Sequence, residues 1–312
     1  MLSIVIPTRD TRDLTLACLR AVARAAPPGR LDVIVVDDGS VDDTAQRLQR
    51  DYPDARLVRL DTPRGFTAAV NAGLRVAEGS LLLLLNSDTE VQPGAIAALM
   101  DAFDTEPHLG IVGAQLWNAD GSPQWSGARR EPGALWLFAH ASGLARLAAR
   151  LPGYRRVKPL ASSTRRVAWV SGAALAMRRE VWTTCGPFDE RFRFYAQDLD
   201  LCSAATAAGW SIAVVDAFNV LHHQGVSVAA ASGGAIRQNT ALLWADVVRW
   251  AYKRRGGTAS RRAALALALG GRGRLFCRAL VSPLVPRAQR AHWERETQAL
   301  GSALRAVRSA AS

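Results

Sequence analysis

Three short polar clusters hold side chains able to do chemistry: Thr8-Arg9-Asp10, Asp37-Asp38-Gly39-Ser40 and Asn86-Ser87-Asp88. Their oxygens suit a hard divalent cation that also binds phosphate, and Asn86 and Asp88, two apart on an extended segment, face the same side. Each cluster also has a plainer reading, because Asp, Gly and Ser are turn formers and helix caps. Their common position, directly after an apolar run, argues for a shared nucleotide and metal site. Gly65 precedes a helical pattern in Pro63-Arg-Gly-Phe-Thr-Ala-Ala-Val-Asn-Ala-Gly73. A glycine there lets the backbone approach a ligand, and the helix start offers N–H groups to an anion, although an ordinary helix start accounts for it equally. Asp198 and Asp200 open another helix, where acids complement the dipole. His222 and His223 are adjacent on an extended segment, so they face opposite sides and do not share one metal.

The elements that must position these groups alternate. Residues 2–6 form an apolar run ending at Pro7, and Leu14, Cys18, Ala21, Val22 and Ala25 share one helical face before Pro27-Pro28-Gly29. A second run, Leu31 to Val36, meets the Asp37 cluster, and Ser40 or Asp42 caps the next helix. Strands are expected at 56–60 and Leu81 to Leu85, with a helix over 67–77 between them. This order predicts an α/β chain with a mostly parallel sheet covered by helices, its crevice at the carboxyl ends of the strands. Further on, a hairpin is expected around Asp120-Gly121, followed by a Gly/Pro/Arg-rich stretch at 127–166. The apolar run Val167 to Met177 is interrupted by Ser171-Gly172-Ala173, whose small side chains leave room for a ligand. A helix runs from Gln197 to about Ala208 and stops at Gly209.

The ordered segments Ser3-Ile-Val-Ile-Pro-Thr, Val35-Val-Asp-Asp-Gly-Ser, Gly65-Phe-Thr-Ala-Ala-Val-Asn-Ala-Gly, Leu84-Leu-Asn-Ser-Asp, Trp169-Val-Ser-Gly-Ala, Phe188-Asp-Glu-Arg-Phe and Gln197-Asp-Leu-Asp-Leu-Cys resemble family 2 glycosyltransferases of the GT-A fold, and most of all their rhamnosyltransferase-like branch. The resemblance implies a Rossmann-like sheet with a C-terminal helical extension. It also implies a nucleotide-diphosphate sugar donor, with dTDP- and UDP-sugars foremost and rhamnose the leading sugar. Donor contacts then fall to Pro7, Thr8, Arg9, Asp37, Asp38, Gly65, Asn71, Asn86 and Ser87. Asp88, in the position of the family's DxD motif, would hold Mg²⁺ or Mn²⁺ with His222, which stands five residues before Ser227 as in the family. Trp169, Gly172, Ala173 and Gln197 would meet the acceptor, and Asp198 would be the catalytic base of an inverting transfer. Two positions depart from the family: Asn86 replaces the commoner Asp and Gln197 the usual Glu, each losing a charge. A non-catalytic nucleotide-sugar-binding protein is therefore the alternative.

Composition bounds the rest. The 312 residues, 49% hydrophobic and 21% charged, can bury one large or two modest cores. Four scattered cysteines suggest neither a disulfide framework nor a thiolate zinc site. The net charge of +12 resides at one end, because residues 250–312 hold 13 Lys/Arg against Glu294 and Glu296. A nearly neutral first 249 residues without a recognition motif argues against a nucleic-acid binder. The chain is expected to divide into residues 1–232, with a nucleotide part to about 116 and an acceptor part from 117, and a basic helical region over 233–312. That region mixes arginines with Trp, Phe and Leu, as a helix on an anionic membrane surface does, although a solvated appendage would look similar. With no apolar run of 18 residues and no signal-like start, the expected location is the cytoplasm, peripheral on the inner membrane face, with a glycan or lipid-linked acceptor.

Overall fold

The computed structural model describes residues 1–26, 31–145, 164–192, 195–223 and 239–311. They fall into two compact units: the described residues of Met1–Glu131 with Pro159–Arg237, and those of Pro132–Lys158 with Gln238–Ser312. The second unit thus includes a segment that the sequence reading places inside the first.

The first unit is a nine-stranded sheet with helices. Its leading strands are β1 (Leu2–Thr8), β2 (Leu31–Asp37), β3 (Arg56–Arg59) and β4 (Leu81–Leu85), paired in parallel in the order β3-β2-β1-β4. Helices α1 (Arg12–Ala25), α2 (Thr44–Asp51) and α3 (Phe66–Val76) supply the crossovers. Both faces are covered, so β1 and β4 are buried at every position and read as unbroken apolar runs. Gly73 permits the close approach of α3, since a Cβ there would lie 2.4 Å from Val5 Cγ1 and 2.8 Å from Val36 Cγ2.

The sheet continues through β5 (Thr89–Val91), β6 (Leu109–Trp117), β8 (Thr164–Arg166), β10 (Ala174–Arg178) and β11 (Ser211–His222), with α4 (Ala95–Thr105) between β5 and β6. A separate ribbon pairs β7 (Gly127–Ala128) with β9 (Trp169–Val170). Strand β10 runs antiparallel between β4 and β6, and β11 lies parallel to β6. Strands β5 and β8 are antiparallel to β11, so six of the nine strands share one direction and the sheet is mostly parallel. The apolar run expected at 167–177 is in fact two strands in different sheets, and the turn between them carries Ser171, Gly172 and Ala173. Helices α6 (Arg179–Cys185) and α7 (Gln197–Ala207) complete this unit.

The second unit is helical: α5 (Ala134–Ser142), α8 (Thr240–Val281), which breaks at Gly256 (φ +78°), and α9 (Arg287–Ala311). Adjacent glycines on α8 give two neighbours room. A Cβ at Gly270 would meet Phe138 O at 2.6 Å, and one at Gly271 would meet Trp244 at 2.9 Å and Leu304 at 3.0 Å.

Candidate active site

The loops that follow β1, β2 and β4 are tied together by their own polar groups. Asp38 N–H donates to Thr8 O at 2.9 Å. Thr8 Oγ1 bonds the hydroxyls of Thr11 at 2.8 Å and Thr15 at 2.6 Å, and Thr11 Oγ1 reaches Ser87 Oγ at 3.1 Å. Asp10, in the left-handed region at φ +50°, accepts from Val41 N–H at 2.8 Å, while its own N–H donates to Ser40 Oγ at 3.0 Å. From β4 the network crosses to the second half of the unit, where Asn86 N–H donates to Ala173 O at 2.9 Å and Gly172 N–H donates to Asp198 Oδ2 at 3.0 Å. The Asp38, Asp88 and Asp198 segments are therefore joined by hydrogen-bonded neighbours at the carboxyl ends of β1, β2 and β4.

Individual roles differ within this ring. The fully buried Asp37 closes its own turn by accepting from Ser40 N–H at 2.9 Å, and Arg59 Nε lies 3.5 Å from its other oxygen. Asp38 accepts from Arg64 N–H at 2.6 Å and Gly65 N–H at 2.9 Å. The anion at the start of α3 is thus the protein's own carboxylate, and those two N–H groups are not free for a donor phosphate. Gly65 itself is at φ +94°, a backbone conformation that favours glycine, with open space where a Cβ would be. Asn71 is engaged with the segment before α7, giving its amide to Phe188 O (2.8 Å) and Glu190 Oε1 (3.1 Å) and accepting from Phe188 N–H (3.0 Å). Pro7 and Thr8 are buried at the end of β1, whereas Arg9 is exposed, its Nε 3.7 Å from Asp10 Oδ2.

Asp88 is 2% exposed, and His222 Nε2 lies 3.5 Å from its Oδ1. Gln124 orients that imidazole, its Oε1 2.9 Å from Nδ1 and its amide donating to His222 O at 2.6 Å. His223 turns the other way, its Nε2 2.9 Å from Glu90 Oε1, as alternation along a strand requires. No group of three or more His, Cys, Asp or Glu able to hold a metal occurs among the described residues. A carboxylate and an imidazole side by side fit a divalent cation that takes its remaining ligands from a diphosphate and water. Asn86 Oδ1 is buried without a hydrogen-bond partner among the described residues, as is Gln197 Oε1. Both departures from the family pattern thus place a buried amide oxygen without a hydrogen-bond partner.

Asp198 is the second residue of α7, which starts at Gln197 after Ala196, held at φ +63°. Burial pushes its carboxyl upward from the ordinary Asp value, against the opposing effect of the N–H groups of Gly172 and Leu199. One residue of this region was not anticipated. Trp125 is 52% exposed, and its ring centroid lies 4.5 Å from that of Trp169. Its chain neighbour Ser126 accepts from Ser171 N–H at 3.0 Å through its backbone carbonyl, which ties the pair to the turn that holds Asp198. An aromatic residue in a turn-rich stretch was the only signal in the sequence.

The sequence profile described as Glycosyl transferase family 2 matches residues 3–181, more than half of the chain. The chain belongs to glycosyl transferase family 2. A relative of this glycosyltransferase, named N-acetylglucosaminyl-diphospho-decaprenol L-rhamnosyltransferase, from Mycobacterium tuberculosis (strain CDC 1551 / Oshkosh), is 33% identical over 233 residues, covering 69% of this chain and 75% of the relative. The O-antigen biosynthesis protein RfbC of Myxococcus xanthus is 29% identical over 230 residues, covering 72% of this chain but 17% of that protein. These relatives agree with a rhamnosyltransferase-like branch of the family. The mannosyltransferase PcManGT from Pyrobaculum calidifontis, solved with GDP-Man and Mn²⁺, superposes with a TM-score of 0.61 at 16% identity, covering 99% of this chain and 86% of that one. S. aureus TarS 1-349 in complex with UDP gives 0.54 at 18% identity, covering 98% and 80%. At such identities the likeness establishes the fold, which is the GT-A arrangement.

Proposed function

We propose that this glycosyltransferase moves a sugar, rhamnose foremost, from a nucleotide diphosphate to a hydroxyl of a glycan or lipid-linked acceptor, with inversion. The observation that carries the reading is the continuous hydrogen-bonded path from the Asp38 loop through Thr8, Thr11 and Ser87, and from Asn86 through Ala173 and Gly172 to Asp198. In this reading Pro7, Thr8, Arg9, Asp37, Asp38 and Gly65 shape the nucleotide pocket, and Asn71 fixes its rear wall. Asn86 and Ser87 meet the ribose or the sugar, and a dTDP- or UDP-sugar is the donor. Asp88 and His222 would hold Mg²⁺ or Mn²⁺, which would supply positive charge to offset that of a leaving diphosphate. The acceptor hydroxyl attacks the anomeric carbon as the bond to the diphosphate oxygen breaks, and Asp198 takes the hydroxyl proton. Its raised affinity for a proton suits that task. Trp125 and Trp169 offer flat apolar faces to the acceptor, and Gly172 and Ala173 leave it room beside Gln197. A lipid-linked acceptor agrees with a peripheral position on the inner membrane face.

The test is a panel of dTDP- and UDP-sugars with Mn²⁺ and Mg²⁺, measuring donor binding and transfer separately. Asp88→Ala is expected to abolish metal-dependent donor binding, and Asp198→Asn to keep binding while losing transfer. Unaltered turnover in either variant would refute its assigned role. Donor binding by the native chain with no transfer to any lipid-linked or glycan acceptor would favour the non-catalytic alternative, which rests on Asn86 and Gln197.

A further inference from the structure

We infer that one face of α8 is an interfacial membrane-docking surface for an anionic bilayer. The inference deepens the peripheral-membrane part of the proposed function, but its observations lie wholly in the second unit. Leu265, Leu269, Phe276 and Leu280 are 58%, 51%, 66% and 64% exposed, and Leu284, just past the helix, is 80% exposed. Their spacing of four, seven, four and four residues places the α8 members along one helix face, with Arg272 completing the interval between Leu269 and Phe276. The opposite face, with Ala263, Leu267, Gly270, Gly271 and Arg278, is buried within the unit. The apolar stripe is therefore surplus to the helical core, and large exposed side chains in register are what an interaction surface shows.

Charge selects the partner. Residues 257–281 contain five arginines and no acid. Arg261, Arg262 and Arg272 are exposed on the stripe side and make no ion pair among the described residues. Leucine and phenylalanine enter the acyl boundary while arginines extend to phosphate headgroups, the arrangement of a helix lying in the interface plane. No described helix is long and apolar enough to cross a membrane, so the surface lies on the bilayer. A second copy of the chain would bring unpaired arginines together with no acid between them. A nucleic acid would leave the leucines without a role.

The experiment uses the full chain and co-sedimentation with vesicles of phosphatidylcholine alone or mixed with phosphatidylglycerol. Binding is expected only with the anionic lipid, falling as salt rises. Leu269→Ser with Phe276→Ser and Leu280→Ser should lower the partition constant at least tenfold, and Arg261→Gln with Arg262→Gln and Arg272→Gln should remove the lipid-charge preference. Nucleotide-sugar binding should be unchanged in both variants, and its presence in the native chain tests the donor-site reading independently of vesicle binding. The proposal is overturned if both variants bind vesicles like the native chain, or if the native chain binds neutral and anionic vesicles equally. It is also overturned if sedimentation equilibrium shows a dimer that the serine variant dissolves, or if an oligonucleotide binds in a way that only the arginine variant weakens.

Discussion

Asp198 shows how a single carboxylate is prepared by its surroundings. Two backbone N–H groups fix its orientation, and burial makes its ionisation harder, so it holds a proton more firmly than an exposed Asp. In the proposed role of base it must be ionised, so kcat/KM should rise with pH along an acid limb displaced above 3.8, and Asp198→Asn should remove both the limb and transfer, by roughly 10²- to 10⁴-fold. An acid limb at the ordinary Asp value would contradict the environment seen here. The same preference means the native state binds this proton more tightly than the unfolded chain, so the contribution of Asp198 to stability declines as pH rises from 3.8 through the native value. Trp125 makes a different prediction, because it is linked to Asp198 only through Ser126 and the Ser171–Gly172 turn. Trp125→Ala should raise acceptor KM roughly 3- to 10-fold, the worth of one lost aromatic face, with kcat and donor KM little changed. An unchanged acceptor KM in initial-rate kinetics would remove it from the site. Asp88 and His222, paired at the residue level by the family resemblance, come from the loop after β4 and the end of β11, and Nε2 of the histidine lies 3.5 Å from Oδ1 of the aspartate. The sequence reading missed Trp125, whose partner Trp169 is 44 residues away and meets it through the short ribbon of β7 and β9. Such a pairing has no local signature.

Among the elements, α3 has two tasks that its sequence only half discloses. Its apolar face packs against the sheet through Gly73, while Asn71 turns toward the loop before α7 and exchanges two hydrogen bonds with the backbone of Phe188. Asn71 is 1% exposed, so truncating it leaves a buried N–H and a buried C=O unsatisfied. Asn71→Ala should destabilise the protein by on the order of 2–4 kcal/mol in urea denaturation and weaken transfer by loosening the segment that leads to Asp198. A change below about 0.5 kcal/mol would show that the clamp is dispensable. Strands β1, β2 and β4 and the helices between them were legible because a sheet covered on both faces demands long apolar runs, and helical faces repeat every three or four residues. The second half was harder to read. The run 167–177 shows its interruption at Ser171 to Ala173, but not that the turn there sends β9 to the small ribbon and β10 to the centre of the main sheet. Insertion of β10 antiparallel between β4 and β6 depends on contacts distant in the chain, which periodicity does not encode.

For the whole molecule, the uneven charge follows a structural division. The first unit buries its core on both faces of the sheet, and the second is a helical unit carrying the excess of arginine. One arginine is internal: Arg278 is 7% exposed, its guanidinium bonded to Glu296 (3.0 Å), Thr297 (3.0 Å) and Trp293 O (2.6 Å) and lying 3.7 Å from the Trp293 ring centroid. These contacts join α8 to α9, and they are the reason that a basic composition does not translate into a wholly solvated appendage. The sequence showed the basic region but not this difference among its arginines, since burial of Arg278 depends on the return of α9. Arg278→Ala removes the charge while leaving Glu296 beside an apolar gap, a loss of about 3–5 kcal/mol for a fully buried pair and less here because Glu296 is partly exposed. Hydrogen exchange of the full chain should then show protection lost in α8 and α9, with that of β1, β2 and β4 kept and nucleotide-sugar binding intact. Equal loss of protection in the sheet would mean that the two units unfold as one cooperative structure, and that the second unit supports the catalytic one rather than simply accompanying it.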